Sequence, residues 1–258
     1  MFANERLATI IDRVNAKQSV TVSELTQLFG VSFETIRRDL AYLEKQNLLQ
    51  RVHGGAVSME KMRRFSTLPQ RMEEHRELKR ELSLTALSLI TENDVIAVDS
   101  GSTAVEFAAV LRDNRQRLTV VTPSPDVFEI LCRKEEFRII MIGGQYLSKE
   151  RTFYGPMAVD AIEGLHVSKS IIFPSSVSLR QGVGTNIFEL IPVQRAMMAI
   201  SDQVVVAADS TKFEAVSQIR LCGLDAGHFY VTDRQLAADR IRLFEERGIT
   251  VMTQSPPG

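Results

Sequence analysis

Residues 21–43 admit very few folds. Thr21 and Glu24 stand three apart, the spacing at which two side chains cap a helix start reciprocally, and Gly30 offers a left-handed stop one short helix later. Leu25 and Leu28 are expected to face inward between them. Only Val31 separates that glycine from Ser32, a good N-cap for a next helix whose inner face is Ile36, Leu40 and Leu43 at i, i+4 and i+7. Upstream, Leu7, Ile10, Ile11 and Val14 lay an apolar stripe along a first helix, which residues 15–19 break. Downstream, residues 48–57 read as two short strands bent at the Gly54-Gly55 pair. Three short helices, the last two joined by a tight glycine turn and followed by a hairpin, make a winged helix-turn-helix over residues 1–57.

The third helix leaves Phe33, Glu34, Thr35, Arg37, Arg38 and Tyr42 mainly off its inner face. A helix in the major groove presents its N-terminal residues to base edges, while its dipole and free N–H groups favour phosphate. Arg37 and Arg38 lie about 100° apart around the axis, so one is assigned to a base or groove contact and the other to phosphate. Arg51 and His53 sit on the wing, placed to touch backbone or minor groove. The plainer alternative is a solvated face on which Asp39 and Glu44 neutralise the arginines. The surroundings decide between the two. The run Val31-Ser32-Phe33-Glu34-Thr35-Ile36-Arg37-Arg38-Asp39-Leu40, then Leu43-Glu44, then Arg51-Val52-His53-Gly54-Gly55-Ala56, resembles the signature of the DeoR family of bacterial transcription regulators. Ser23-Glu24-Leu25 also fits that pattern, and Asn47 replaces a common glycine with a residue that tolerates left-handed backbone. The resemblance implies that Ser32, Phe33, Glu34, Thr35, Arg37, Arg38, Arg51, His53, Gly54 and Gly55 form the surface that meets double-stranded operator DNA.

Charge is a weak guide here. The chain of 258 residues carries a net charge of -1, and residues 1–81 hold 14 Lys and Arg against 11 Asp and Glu, leaving 17 against 21. Cys132 and Cys222 are far apart and without metal-ligand spacing, which predicts reduced thiols in a core and no metal site. No basic leader with an apolar stretch opens the chain, and no apolar run approaches the roughly eighteen residues a bilayer crossing needs. A cytoplasmic protein with no membrane partner is expected.

Residues 58–78 are charged and poor in periodic hydrophobicity, and read as a connector that is part helix, with 71–79 a solvated helix. Over 79–258, strand-like runs at 95–98, 118–121, 138–142, 170–173, 204–208, 229–231 and 249–252 alternate with helical stretches at 80–91, 103–112, 125–134, 156–164, 188–201 and 234–247. Such alternation predicts a mainly parallel, Rossmann-like α/β sheet covered on both faces. Ligands of such folds bind beyond the carboxyl ends of the strands. There stand Asp99-Ser100-Gly101-Ser102-Thr103, a small anion cradle of hydroxyls, a glycine and a helix start; Gly143-Gly144, which allows close backbone approach; and Lys212, a cation after a later strand.

These loops resemble the effector domain of the same family, which is similar to ribose-5-phosphate isomerase and takes phosphorylated sugars or related metabolites. That likeness implies effector contacts from Asp99, Ser100, Gly101, Ser102, Thr103 and Lys212, with Thr122, Gly143 and Gly144 as secondary contacts. One segment departs from the pattern. Where the family commonly carries a glycine-rich loop and the isomerases an acidic pair, this chain has Pro174-Ser175-Ser176-Val177-Ser178. Isomerisation needs a carboxylate base, so no enzymatic activity is expected; the resemblance implies a repressor of a carbohydrate-metabolism operon that needs no cofactor. The alternatives are an isomerase-like enzyme with a DNA-binding appendage and a regulator whose pocket has lost its ligand. A homo-oligomer is expected because one small winged domain makes few DNA contacts.

Overall fold

The structure, a computed structural model, describes residues 3–17, 19–46, 48–52, 54–58 and 67–253. It divides into two compact units, Met1–Ser66 and Thr67–Gly258.

In the first unit, helix α1 (Ala3–Lys17) leads into strand β1 (Ser19–Thr21), then helices α2 (Val22–Phe29) and α3 (Phe33–Lys45) and strands β2 (Gln50–Val52) and β3 (Gly55–Val57). The Thr21–Glu24 capping box forms: the Thr21 hydroxyl accepts from Glu24 N at 3.1 Å and Glu24 Oε2 accepts from Thr21 N at 2.8 Å. That hydrogen bond holds the Glu24 carboxyl below its ordinary pKa. Gly30 ends α2 in the left-handed conformation, φ 63°, and Ser32 Oγ caps α3 by accepting from Thr35 N. Ile10, Val14, Leu25, Ile36, Leu40, Leu43 and Leu49 are almost wholly buried together. Each such side chain contributes about 1.5–3 kcal/mol. The three strands form an antiparallel sheet in the order β1-β3-β2.

The second unit opens with α4 (Leu68–Glu73) and α5 (Arg76–Leu87). Its centre is a seven-stranded parallel sheet of β4 (Val95–Val98), β5 (Thr119–Thr122), β6 (Arg138–Met141), β9 (Val167–Ile172), β12 (Ser201–Ala207), β14 (Phe229–Val231) and β15 (Val251–Met252), in the order β15-β14-β12-β9-β4-β5-β6. Consecutive residues point to opposite faces. Ile96, Val98, Ile171, Val205 and Ala207 pack with Leu82 and Ala86 of α5, with Phe107 and Leu111 of α6 (Ser102–Asn114), and with Val127 and Leu131 of α7 (Pro125–Leu131). Ala97, Ile172, Val204 and Val206 pack with Ala158 and Ile162 of α8 (Pro156–Glu163), with Val193 and Met197 of α9 (Ile191–Ala199), and with Phe244 of α10 (Ala238–Glu245). Burial on both faces is why these strands read as unbroken apolar runs. From β4 the chain winds outward through β5 and β6, then returns to lay β9 on the other side of β4 and winds away through β12, β14 and β15. The carboxyl ends of β4 and β9 therefore frame the switch point, where folds of this kind place their ligands.

Several expectations need correction. Leu28 is 43% exposed, because its position on α2 rotates away from the Val22–Leu25 face. The stretch 67–78 is built into the second unit through the buried Leu68 and Leu78, and Lys79, expected on a solvated helix, is only 3% exposed. Cys132 is exposed rather than in a core; Cys222 is half-buried, and burial pushes its thiol up to about 11. Pro174–Ser178 is not a free loop wall: Ser176–Ser178 is β10, which joins β11 (Gly182–Thr185) and β13 (Ile219–Cys222) in an antiparallel sheet. Ser176 Oγ meets Ser217 Oγ at 2.7 Å, and Ser178 Oγ accepts from Gln181 N. A hairpin, β7 (Gln145–Leu147) and β8 (Thr152–Tyr154), also went unpredicted, as did β1.

Candidate functional site

In the first unit, α3 sets its apolar face inward and leaves Glu34, Arg37 and Arg38 exposed, with Phe33 and Tyr42 each 54% exposed. The carboxylates that could have neutralised the arginines are occupied elsewhere. Asp39 turns to α1 and takes a two-pronged ion pair from Arg6, Nε at 2.6 Å and Nη2 at 3.1 Å. Glu44 accepts from Arg51 N at 2.9 Å, pinning β2 to the end of α3, and lies 3.9 Å from the Arg51 guanidinium. Among the described residues, neither Arg37 nor Arg38 has an ion pair. Ser32 and Thr35 are tied to each other, hydroxyl to hydroxyl at 2.9 Å. His53 lies outside the described residues.

The two wing glycines serve different needs. Gly54 takes a positive φ of 84° at the turn, and its carbonyl accepts from Val22 N at 2.9 Å, satisfying a free amide at the start of α2. Gly55 is buried, and a Cβ there would lie 2.1 Å from the Val20 carbonyl oxygen of β1. Its glycine is demanded by packing.

In the second unit, Asp99 follows β4 and spans the switch point. Its carboxylate accepts from Ser100 N at 2.7 Å, from Phe173 N beyond β9 at 3.2 Å, and from Gln194 Nε2 of α9 at 2.8 Å. It is 1% exposed, and burial pushes its pKa up to about 6 against those three donors. Ser100 is buried beside it. Gly101, φ 108°, turns the chain into α6; among the described residues no atom lies within 4 Å of where a Cβ would stand, and no side chain caps the helix. Ser102 is partly exposed, whereas the Thr103 hydroxyl is buried and finds no hydrogen-bond partner among the described residues, nor does Gln194 Oε1. An uncapped helix start with an orphaned hydroxyl offers N–H and O–H donors to an anion.

Lys212 ends a short 3₁₀ turn (Ser210–Lys212) after β12, its Nζ 3.7 Å from Asp209 Oδ2. Lys79 of α5 is buried. Burial first, and the charge of Lys212 second, lower the Lys79 pKa to about 8. Neither Lys79 nor Gln194 was found from sequence. The only trace of Lys79 was its place on the stripe that continues through Leu82 and Ala86, three and seven residues on. The secondary candidates are committed to structure: the Thr122 hydroxyl accepts from Ser124 N, and a Cβ on Gly144 would meet the Tyr154 carbonyl oxygen at 2.6 Å. Gly143 has open space beside it. A separate concavity of about 260 Å³, lined by Arg180, Arg220 and Arg247 among others, includes none of these residues.

Comparison with known proteins agrees with both halves. Residues 6–62 match the DeoR-like helix-turn-helix domain, and residues 74–234 match the DeoR C terminal sensor domain. The chain is 34% identical to the transcriptional repressor AccR of Agrobacterium fabrum, over 81% of each chain. It is 33% identical to the L-fucose operon activator of Haemophilus influenzae, over 95% of this chain and 98% of the relative. Among solved structures, ribose 5 phosphate isomerase A from Neisseria gonorrhoeae aligns over 55% of either chain, at 19% identity and a TM-score of 0.41. With a helix-turn-helix match at one end, a sensor-domain match across most of the rest and relatives aligned over nearly the full length, the chain belongs to the DeoR family of DNA-binding transcriptional regulators.

Proposed function

We propose that this regulator is a homo-oligomeric repressor of a carbohydrate-metabolism operon, released or engaged by a phosphorylated sugar or related metabolite, and that it is not an enzyme. The exposed face of α3, with Phe33, Glu34, Arg37 and Arg38, enters the major groove, and Arg51 contacts backbone from the wing. The effector's phosphate sits on the start of α6, held by Gly101, Ser102 and Thr103, with Lys212 as counter-charge. Asp99 positions this cradle rather than touching phosphate, since its oxygens are taken by three donors. The buried, partnerless Thr103 hydroxyl at an uncapped helix start carries the reading: a polar atom left in that state costs about 1–3 kcal/mol unless something accepts its hydrogen bond. Against isomerisation stands the segment after β9, which supplies proline and hydrogen-bonded serines where a carboxylate base would be needed.

The test is a thermal-shift screen pairing each sugar phosphate with its unphosphorylated sugar. A ligand that binds only the native state raises the melting temperature. At least one phosphorylated member should do so and its partner not, with the shift lost in Lys212→Ala. Equal shifts from sugar and sugar phosphate, or an unaltered response in Lys212→Ala, would discard the phosphate cradle; turnover of any sugar phosphate would restore the enzyme.

A further inference from the structure

Three arginines outside the phosphate cradle converge on one concavity of the second unit. Arg180 stands in the turn between β10 and β11, Arg220 on β13 and Arg247 between α10 and β15, and all three are exposed along the same hollow of about 260 Å³. Among the described residues no carboxylate lines it, and none of the three arginines has an ion pair. Their gathering is not the surplus of a basic domain, because from residue 82 onward acidic residues outnumber basic ones by 21 to 17. The segments that carry them are tied to one another. Arg247 Nη1 donates at 3.0 Å to the carbonyl of Leu179, the residue before Arg180. Gln181, the residue after it, exchanges two hydrogen bonds with the main chain of Ser217, donating to the carbonyl at 2.8 Å and accepting from the amide at 2.9 Å. Gly182 lies so close to β13 that a Cβ would meet Cys222 O at 2.5 Å. Arg195 of α9 also fastens β13, donating to Arg220 O at 3.2 Å and Leu221 O at 3.0 Å, and adds a fourth guanidinium to the neighbourhood. Glu214, a carboxylate held at this turn, accepts from Leu179 N at 3.4 Å. Like charges fixed by such a frame repel, and an anion with several oxygens relieves the repulsion.

We propose that this hollow is a second ligand site of the sensor domain, taken by a small polyanion that carries two or more carboxylate or phosphate groups. A guanidinium presents its donors in a planar fork that fits either group, and arginines on three separate segments call for more than one of them. Leu179 and Leu224, both half-buried on the same lining, give a carbon body between those groups something to rest on. The volume lies below the roughly 300 Å³ at which sites for drug-sized ligands begin, which restricts the occupant to a small metabolite. The site shares no residue with the cradle at the start of α6 and does not depend on it. Its cations are exposed, so its affinity falls as salt rises. A sensor domain built this way answers to two metabolites, one at the switch point of the large sheet and one at the edge of the small one.

Calorimetry on the full chain at constant ionic strength tests this, with citrate and pyrophosphate as probes and singly charged acetate as control. At least one of the two polyanions should bind once per chain, the tighter of them showing whether carboxylate or phosphate is preferred, and acetate should give no saturable heat. In Arg180→Gln with Arg220→Gln the affinity should fall at least about tenfold, since two charged contacts are lost. Arg138→Gln, which removes one exposed charge on the far edge strand β6, should bind as the wild type does. Should the double variant fold poorly, Arg180→Gln alone, whose side chain has no hydrogen bond among the described residues, should still weaken binding. Unchanged affinity in these variants, an equal loss in Arg138→Gln, saturable heat from acetate, or no polyanion heat at millimolar concentration overturns the site. Binding that disappears in Lys212→Ala but survives in the double variant places the polyanion in the cradle and removes the second site, leaving the cradle standing.

Discussion

Asp99 shows how little of a residue's role its own position reveals. Its place at a strand end before Ser100-Gly101-Ser102-Thr103 was readable, because a strand followed by glycine, hydroxyls and a helix start is a local pattern. Its partners were not, since Phe173 and Gln194 lie 74 and 95 residues away and only the fold brings them to one carboxylate. A pH dependence follows. Burial raises the Asp99 pKa from 3.8 to about 6, so between those values the folded chain holds a proton that the unfolded chain has lost. Stability contributed by this group is therefore present below the lower value and declines as pH rises through the window. Melting temperatures of the wild type and Asp99→Asn, compared from pH about 4 to about 6, should show the wild type losing ground relative to the variant. A flat difference would mean that Asp99 is not the titrating group. Arg37 and Arg38 mark the opposite case: their exposure was readable from the helix period, yet the reason they have no ion pair among the described residues, Asp39 committed to Arg6 and Glu44 to the Arg51 amide, lies in contacts between elements.

At the scale of elements, the helix-turn-helix was legible because each boundary has a local chemical cause: Thr21 with Glu24 starts α2, Gly30 stops it and Ser32 starts α3. The seven parallel strands were legible because burial on both faces leaves continuous apolar runs. The small β10-β11-β13 sheet was not, for β10 and β11 are serines, glycines, one threonine and single valines whose pairing rests on distant partners such as Ser217 and Arg220. The same holds for β1, three residues long and hidden beside a capping box. Gly55 illustrates the cost of missing it: read as a wing residue for DNA, it is fixed by the close approach of β1. Gly55→Ala would drive a methyl group into a main-chain oxygen, destabilising the first unit by about 3 kcal/mol or more and lowering its melting temperature by over about 10 °C. The equivalent change at Gly54, where no atom lies within 4 Å, meets only backbone strain and should cost less. Calorimetry of the two variants decides it; equal losses would show that the contact with β1 is not what constrains Gly55.

For the whole molecule, the separation into two compact units gives the proposed activities separate signatures. Replacing Arg37 and Arg38 together by Ala removes two charges from a surface that plays no part in either core. Operator affinity should fall by on the order of a hundredfold, given about 1–3 kcal/mol for each well-placed arginine–base contact, while phosphate binding and the melting of the second unit stay put. Sedimentation should show both proteins above monomer mass. A monomer that still binds its operator tightly would refute the need for paired winged domains, and a double variant that keeps sequence-specific affinity would refute the assignment of α3. The bond from Val22 N to the Gly54 carbonyl bears on how such binding is tuned. With its turn fastened to the start of α2 and β3 paired to β1 on one side and β2 on the other, the wing behaves as the fixed jaw of a caliper whose other jaw is α3. If α3 and the wing meet DNA as proposed, a caliper of set gap would leave the adjustment to an imperfect operator to the DNA, and affinity should then depend on groove width at base pairs the protein does not touch.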